Sequence, residues 1–465
     1  MPRLRRERGR DRHRRVRRTL PPARHAGGRR HDRSLNTARL DDSARDRLAR
    51  YASSYRLRLV EHVLPYWLRV TRDTQHGGYV VRSDYQRTWL RQTARRILGR
   101  SSQSPTDHKE LVAHARLVWV FSHAHLKGLD KASLGYLGAA ERGYRFLLEH
   151  FHDADHGGYR WMTDRAGHTL NDAKILYGQA FVVYALVELA RAGGDSDALS
   201  AALDLHRVVN EHTHDSENGG WFEHTTPDWC VLPIDDPRAV LDVAGLKSAN
   251  ANVHWLEALI ELYDATGTED VRRSLLEALR VSHQYFFPPD PAQCCQYRQR
   301  DWSPVAGASS NAVSYGHNVE FAWMLIRAET VLGLPPSWEL FYAHLDHALR
   351  NGYDDRRGGA YHAGFGNQPA TRTEKVWWVQ AELAVALTDA LLHRWDHRYS
   401  GALVQTLGFV ERHQTDHRDG VWVQAVTAKG RRQEARKAGP WKVGYHEVRA
   451  LVRLVEAFGQ RPTEE

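Results

Sequence analysis

The sequence predicts an all-α chain closed as an (α/α)6 barrel, with six inner and six outer helices joined by short Gly-aromatic turns or hairpins. Three observations predict it. A Gly-aromatic element recurs at Gly77-Gly78-Tyr79, Gly157-Gly158-Tyr159, Gly219-Gly220-Trp221, Gly358-Gly359-Ala360-Tyr361 and, more weakly, Gly420-Val421-Trp422. Between these markers apolar residues return with a helical period, as at Leu256, Leu259, Ile260 and Tyr263. The helical segments also alternate between apolar all round and amphipathic, the pattern of a buried layer inside an exposed one.

Twelve helical segments start near residues 41, 107, 133, 173, 196, 248, 269, 317, 336, 374, 397 and 441. Acidic residues lead the markers, at Asp73, Asp153, Asp215, Asp355 and Asp419, and the marker glycines Gly78, Gly158, Gly220, Gly359 and Gly420 are spaced 80, 62, 139 and 61 residues apart. The doubled interval implies a degenerate copy near Pro288 to Trp302, hence six units, each helix, Gly turn, helix. Even-numbered segments such as Val376 to Leu392 read as buried on both sides, whereas odd ones such as that carrying Leu199, Ala202, Leu203 and His206 read as outer. Repetition alone does not show closure, so an open α-solenoid is the structural rival.

With 465 residues, 42% of them hydrophobic, 15 Trp and three Cys, the chain is neither disordered, collagen-like nor disulfide-stapled. The net charge of +9 is misleading, because residues 1–38 hold 14 Arg and only three acids. The expectation is a disordered Arg-rich extension over 1–38, without the apolar region of a secretory signal, followed by one catalytic domain over 39–465. That domain is slightly acidic and has no charge footprint for nucleic acid. No apolar run reaches membrane-spanning length, and Cys230, Cys294 and Cys295 have no metal-type spacing, which together suit a soluble protein of the reducing cytoplasm. Outer-helix surfaces leave monomer and homodimer equally open.

If the inner helices run parallel, their first turns open on one cavity. The unusual residues gather there: Arg116, Lys174, Tyr177, Asn250, His254, His317, Glu320, Trp377, Trp378, Trp441 and His446. Free N–H groups at helix starts suit a substrate that develops negative charge on oxygen. Among 28 histidines any single one reads as surface or core, but three at matching positions in three units point to a shared site. Trp377 reads as core, whereas Trp378 and Trp441 suit stacking on a sugar face. His254 with Glu257, and His317 with Glu320, share helical faces and admit a metal site as an alternative, but no His-Glu-x-x-His or dense carboxylate set accompanies them. No Gly-rich phosphate loop or Gly-x-Ser-x-Gly elbow occurs, so neither cofactor nor metal is expected.

Ser314-Tyr315-Gly316-His317-Asn318-Val319-Glu320, Lys375-Val376-Trp377-Trp378-Val379-Gln380-Ala381-Glu382, Asn250 with His254, and Pro440-Trp441 before Tyr445-His446 resemble the N-acylglucosamine 2-epimerase superfamily, closest to its cellobiose 2-epimerase branch. The resemblance covers roughly residues 40–460. It implies an (α/α)6 barrel and cofactor-independent proton transfer at C2 of an aldose. It further implies that His317 and His446 are the acid/base pair, His254 a third essential histidine, and Arg116, Tyr177, Asn250, Glu320, Trp378 and Trp441 sugar-binding residues. The chain departs from the pattern in its Arg-rich head, in the stretch Asp84 to Asp107, and in Gly444 to Arg449 around the last histidine.

Such chemistry is physically reasonable, because a C2 proton beside an aldehyde needs a base in contact and donors for the enediolate oxygens. The expected function is therefore a 2-epimerase acting on free mannose or the reducing end of a β-1,4-disaccharide such as cellobiose. An aldose-ketose isomerase making fructose from mannose is the near rival. A glycoside hydrolase on the same toroid would draw paired carboxylates from Glu257, Glu320, Glu382 and Glu447, and a sugar-binding protein without turnover is the non-enzymatic alternative.

Overall fold

The structure is a computed structural model that describes residues 28–81, 108–131, 134–193, 196–241, 243–289, 294–305 and 312–459. Helix α1 spans Gly28–Arg58 and continues through a π-turn, Leu59–Val63, into Leu64–Thr71. The other outer helices are α3 (Tyr136–Phe146), α5 (Ser196–Thr213), α7 (Glu269–Val281), α9 (Trp338–Gly352) and α11 (His397–Phe409). The inner ones are α2 (Leu111–Leu126), α4 (Leu176–Gly193), α6 (Ala249–Thr266), α8 (Tyr315–Val331), α10 (Trp377–His393) and α12 (Tyr445–Phe458).

Each inner helix packs against the next, and α12 packs against α10, α1 and α2. The ring is therefore closed, which removes the open solenoid. One continuous core of buried side chains runs through all twelve helices, from Leu48 and Tyr55 to Leu451 and Leu454. Among the described residues no helix is long and apolar enough to cross a membrane. The three cysteines are all free thiols.

The helix starts agree with the sequence reading to within four residues except at α1, which begins at Gly28 rather than near 41. Residues 28–38, expected to belong to a disordered extension, have helical backbone there; arginine is a good helix former and extends the turn of helix already held by the core. Residues 1–27 of that extension, and the whole Asp84 to Asp107 stretch, lie outside the described residues.

A two- or three-residue strand leads into five of the inner helices and pairs antiparallel with the strand that follows the next Gly turn. Lys174–Ile175 thus pairs with His224–Thr225, and Lys375–Val376 with Ala425–Val426. The pairing brings one backbone carbonyl over the start of each of these helices. The Trp161, Glu223, Gln296, His362 and Gln424 carbonyls accept from the N–H groups of Leu111, Leu176, Ala249, Tyr315 and Trp377. Donors that a helix start leaves unpaired are satisfied in this way without side chains, and the five capping residues form a ring around the barrel mouth.

The turns are built on aspartates that accept N–H groups from two and three residues on and close onto the fourth. The fourth and fifth of these are Asp354 and Asp416 rather than Asp355 and Asp419, because only they accept the N–H groups of Gly358 and Gly420. At Gly358 (φ +82°) a Cβ would stand 2.3 Å from the Gln405 carbonyl oxygen, so glycine is required both by conformation and by space. A lysine two residues before four inner helices fastens the turn: Lys109, Lys174, Lys247 and Lys375 reach Asp73, Asp153, Asp215 and Asp354 at 3.4, 2.6, 2.9 and 2.9 Å, all buried.

Removing one member of a buried pair strands the other charge. Lys375→Met is expected to cost about 3 kcal/mol of unfolding free energy, read by urea denaturation. The double variant Lys375→Met/Asp354→Asn should recover a large part of that loss, since no buried charge is left alone.

Candidate active site

The first turns of the inner helices enclose a cavity of about 250 Å³ at the end of the barrel where the capping carbonyls lie. All nine residues to which the resemblance assigns a catalytic or sugar-binding role line it: Arg116 from α2, Tyr177 from α4, Asn250 and His254 from α6, His317 and Glu320 from α8, Trp378 from α10, and Trp441 and His446 at α12. Trp377, read as core, is buried and also touches the cavity. Lys174 does not belong to it, being spent on Asp153.

Trp378 organises one wall. Its ring centroid lies 5.2 Å from that of His317 and 6.0 Å from that of His446, so both imidazoles lie against one indole. Gly316 makes room for it, since a Cβ there would clash with the Trp378 ring. On the opposite wall Arg116 donates to the Tyr177 hydroxyl (2.8 Å) and the Trp441 carbonyl (3.0 Å), and the Tyr177 ring meets His254 edge-on at 5.0 Å. Trp441 is 39% exposed and forms the lip.

Beneath the cavity the buried guanidinium of Arg449 binds three carboxyl groups. It donates to Glu257, to Glu382 at 2.7 Å and, weakly, to Glu320 at 3.4 Å. Glu257 and Glu382 in turn hold histidines: His254 Nδ1 is 2.9 Å from Glu257 Oε2, and His446 Nδ1 is 2.6 Å from Glu382 Oε1. A carboxylate only accepts, so both imidazoles carry their hydrogen on Nδ1 and keep the Nε2 lone pair free. His317 Nδ1 lies 2.9 Å from Gln296 Oε1. The Gln296 amide is oriented by its own donation to the Cys294 carbonyl, so its oxygen faces the ring and His317 has the same tautomer.

Burial disfavours the imidazolium form and depresses all three histidines, His446 to about 4 and His317 to about 3, the latter further opposed by His254, His362 and His446. Three neutral bases result. Burial also opposes ionisation of Glu257 and Glu382, but Arg449 and the paired histidines outweigh it and hold both below the usual carboxylate range. For Glu320 burial and the charge of Glu382 prevail over Arg449, raising it well above that range. Two guanidiniums, Arg116 and Arg449, thus balance two carboxylates, and the third carboxyl keeps its proton.

Donor atoms of Glu320, Glu382 and His446 lie within 4.8 Å of one another, the spacing of a metal site. Arg449 already stands among them as counter-cation, 2.7 Å from Glu382 and 3.4 Å from Glu320. Sequence reading missed Arg449, Glu382 and Gln296 as parts of the site. The first two had a signal, since Arg449 follows His446 by one helical turn and Glu382 is an acid inside an otherwise apolar inner helix.

Residues 96–450 match the N-acylglucosamine 2-epimerase (GlcNAc 2-epimerase) family. The cellobiose 2-epimerase of Bacteroides fragilis is 28% identical over 405 residues, covering 85% of this chain and 96% of that one. The D-mannose isomerase of Marinomonas mediterranea is 23% identical over 362 residues, covering 75% and 87%. Among solved structures, the cellobiose 2-epimerase of Spirochaeta thermophila superposes with a TM-score of 0.75 at 30% identity, covering 88% and 97%.

The buried imidazoles also set an acid response. An unfolded histidine binds its proton near pH 6.5, while His446, His114 and His344 resist it until about 4, 3 and 3. Between these limits the unfolded chain binds more protons, so stability falls as pH falls. Going from pH 6.5 to 5 is expected to cost about 2 kcal/mol for each fully buried imidazole, read as a drop in the urea midpoint, and His114→Gln should flatten the slope.

Proposed function

Since the chain belongs to the N-acylglucosamine 2-epimerase family, we propose that it is a sugar 2-epimerase interconverting glucose-type and mannose-type aldoses, either free mannose or the reducing end of a β-1,4-disaccharide such as cellobiose. The observation that carries this reading is the pair of imidazoles, His317 and His446, each with a free Nε2, both beside Trp378 in one cavity. Its small volume suits one sugar ring, with a second ring left to the exposed lip at Trp441.

In this mechanism the open-chain aldose binds with C2 between the two imidazoles. One Nε2 takes the C2 proton, and the electron pair of the C–H bond moves into an enediolate. Arg116 and Tyr177, with His254, surround O1 and O2 with donors or acceptors fixed before the sugar arrives. The other imidazole, carrying a proton, delivers it to C2 from the opposite face and the configuration inverts. Glu320, which keeps its proton and lies within 4.8 Å of His446 through their polar atoms, can restore that imidazole or donate to a sugar hydroxyl. Trp378 and Trp441 offer ring faces to the apolar side of the pyranose, and Asn250 a side-chain amide to its hydroxyls.

Isomerisation to a ketose needs the proton returned to C1 instead of C2, by one base rather than two, and the D-mannose isomerase relatives favour it as the second reading. Glycoside hydrolysis is poorly supported. Glu257 and Glu382 are committed to Arg449 and histidines, and Glu447 accepts the Trp422 N–H away from the cavity, leaving Glu320 alone.

Incubation with mannose and with cellobiose in D2O, followed by NMR, tests the proposal. An epimer deuterated at C2 is expected; fructose-type product would favour the isomerase, and no exchange at C2 or C1 would rule out both. His317→Ala and His446→Ala are each expected to lower kcat by about 10²- to 10⁴-fold, and normal turnover in either would remove that residue from the acid/base pair.

A further inference from the structure

The degenerate turn between α7 and α8, fourth along the chain, contributes a residue that the regular turns do not. Along the chain, the inner helices α4, α10 and α12 each clasp the backbone of the residue after the turn, through Gln179 to Tyr159, Gln380 to Ala360 and Glu447 to Trp422. In α8 the same place is taken by Asn318, whose Oδ1 accepts the Cys294 N–H at 2.6 Å. Cys294 therefore stands where a turn residue stands elsewhere, and Gln296, two residues on, is its unit's member of the capping ring, its carbonyl accepting the Ala249 N–H. Here the repeat gives up its Gly-aromatic signature, and here the ring residue's side chain reaches a histidine of the cavity, 2.9 Å from His317 Nδ1. Local rules are broken most readily where function gains from it.

The consequence is an inequality between the two imidazoles. His446 rests on the carboxylate of Glu382, and His317 on a neutral amide. A carboxylate stabilises the imidazolium it faces far better than an amide does.

We propose that Gln296 is a positioning residue that makes the acid/base pair directional: by holding His317 through a neutral acceptor, it makes His446, on its carboxylate, the better seat for a proton that the pair takes up during turnover. In the reacting state, with one proton taken up on His446, neutral His317 takes the C2 proton, the C–H electron pair enters the enediolate, and His446 gives its proton to the opposite face. The cycle ends with His317 protonated and His446 neutral, a state that Gln296 does nothing to stabilise, so the proton leaves His317 for solvent or substrate and His446 is reprotonated. The assignment of acid and base rests on the epimerase reading, whereas the hydrogen bond to Gln296 does not.

Two variants test this. Gln296→Glu supplies His317 with a carboxylate like those of its neighbours, and Gln296→Met removes the acceptor at nearly constant length. The groups facing His317 from the packed elements are His254, His362, His446 and Glu382, which both variants leave in place. Ring ¹⁵N NMR of His317, recorded without substrate, is expected to show hydrogen on Nδ1 in the wild type. In Gln296→Glu its protonation midpoint should move upward by about one to three pH units, with the acid limb of kcat moving the same way and KM changed less than twofold. Gln296→Met should show mixed tautomers and at least a tenfold fall in kcat. An unmoved His317 midpoint in Gln296→Glu, or Nδ1–H retained as sole tautomer in Gln296→Met, overturns the proposal. Should the NMR shifts appear while no sugar exchanges its C2 proton, the epimerase reading fails and the role of Gln296 as the holder of His317 stands.

Discussion

A single buried guanidinium decides what the cavity can do. Arg449 touches Glu257, Glu320 and Glu382, and through two of them it fixes His254 and His446. Three carboxyls so close together in a low-dielectric interior cannot all ionise. With Arg116 as the only other cation on the cavity wall among the described residues, two negative charges are compensated and the third is not. The protonation state of Glu320 and the tautomers of His254 and His446 follow from that balance, while burial keeps the three imidazoles above this floor neutral. The cost of burying the arginine is met by geometry, since two of its carboxylate contacts are close and hydrogen-bonded.

The barrel supplies the rigidity this balance needs. Capping carbonyls satisfy the starts of five inner helices, and four buried Lys–Asp pairs tie the turns to them. Most functional side chains consequently sit near the starts of fixed helices, Trp441 and Gln296 being the exceptions. The fourth unit, α7 and α8, lacks both the lysine and the Gly-aromatic turn, and it is the unit that lends the cavity Gln296 and Tyr297. A repeat fold tolerates one irregular unit because its neighbours on either side bury the shared faces.

Much of this was legible in the sequence, for identifiable reasons. Helices α2 to α12 could be placed to within four residues because Gly turns and 3.6-residue periodicity are local signals. The nine cavity residues were found because polar groups at the starts of apolar helices stand out. Closure was expected but not fixed by repetition alone, as it depends on α12 meeting α1 and α2 across more than 300 residues of chain. Asp354 was mistaken for Asp355, because two adjacent aspartates differ only in which one receives the turn's N–H groups. Gln296 was hidden by the degeneracy of its own repeat. The four lysines two residues before inner helices were readable, but their meaning appears only once the preceding aspartates fold back on them.

The claim at the centre is that two guanidiniums compensate two of the three floor carboxyls and leave Glu320 protonated at neutral pH. Infrared difference spectroscopy of the wild type against Glu320→Gln at pH 7 measures it directly. The account predicts that the substitution removes the band of one protonated carboxyl group while leaving the carboxylate bands of the other two acids in place. Loss of a carboxylate band instead would show Glu320 ionised and contradict it.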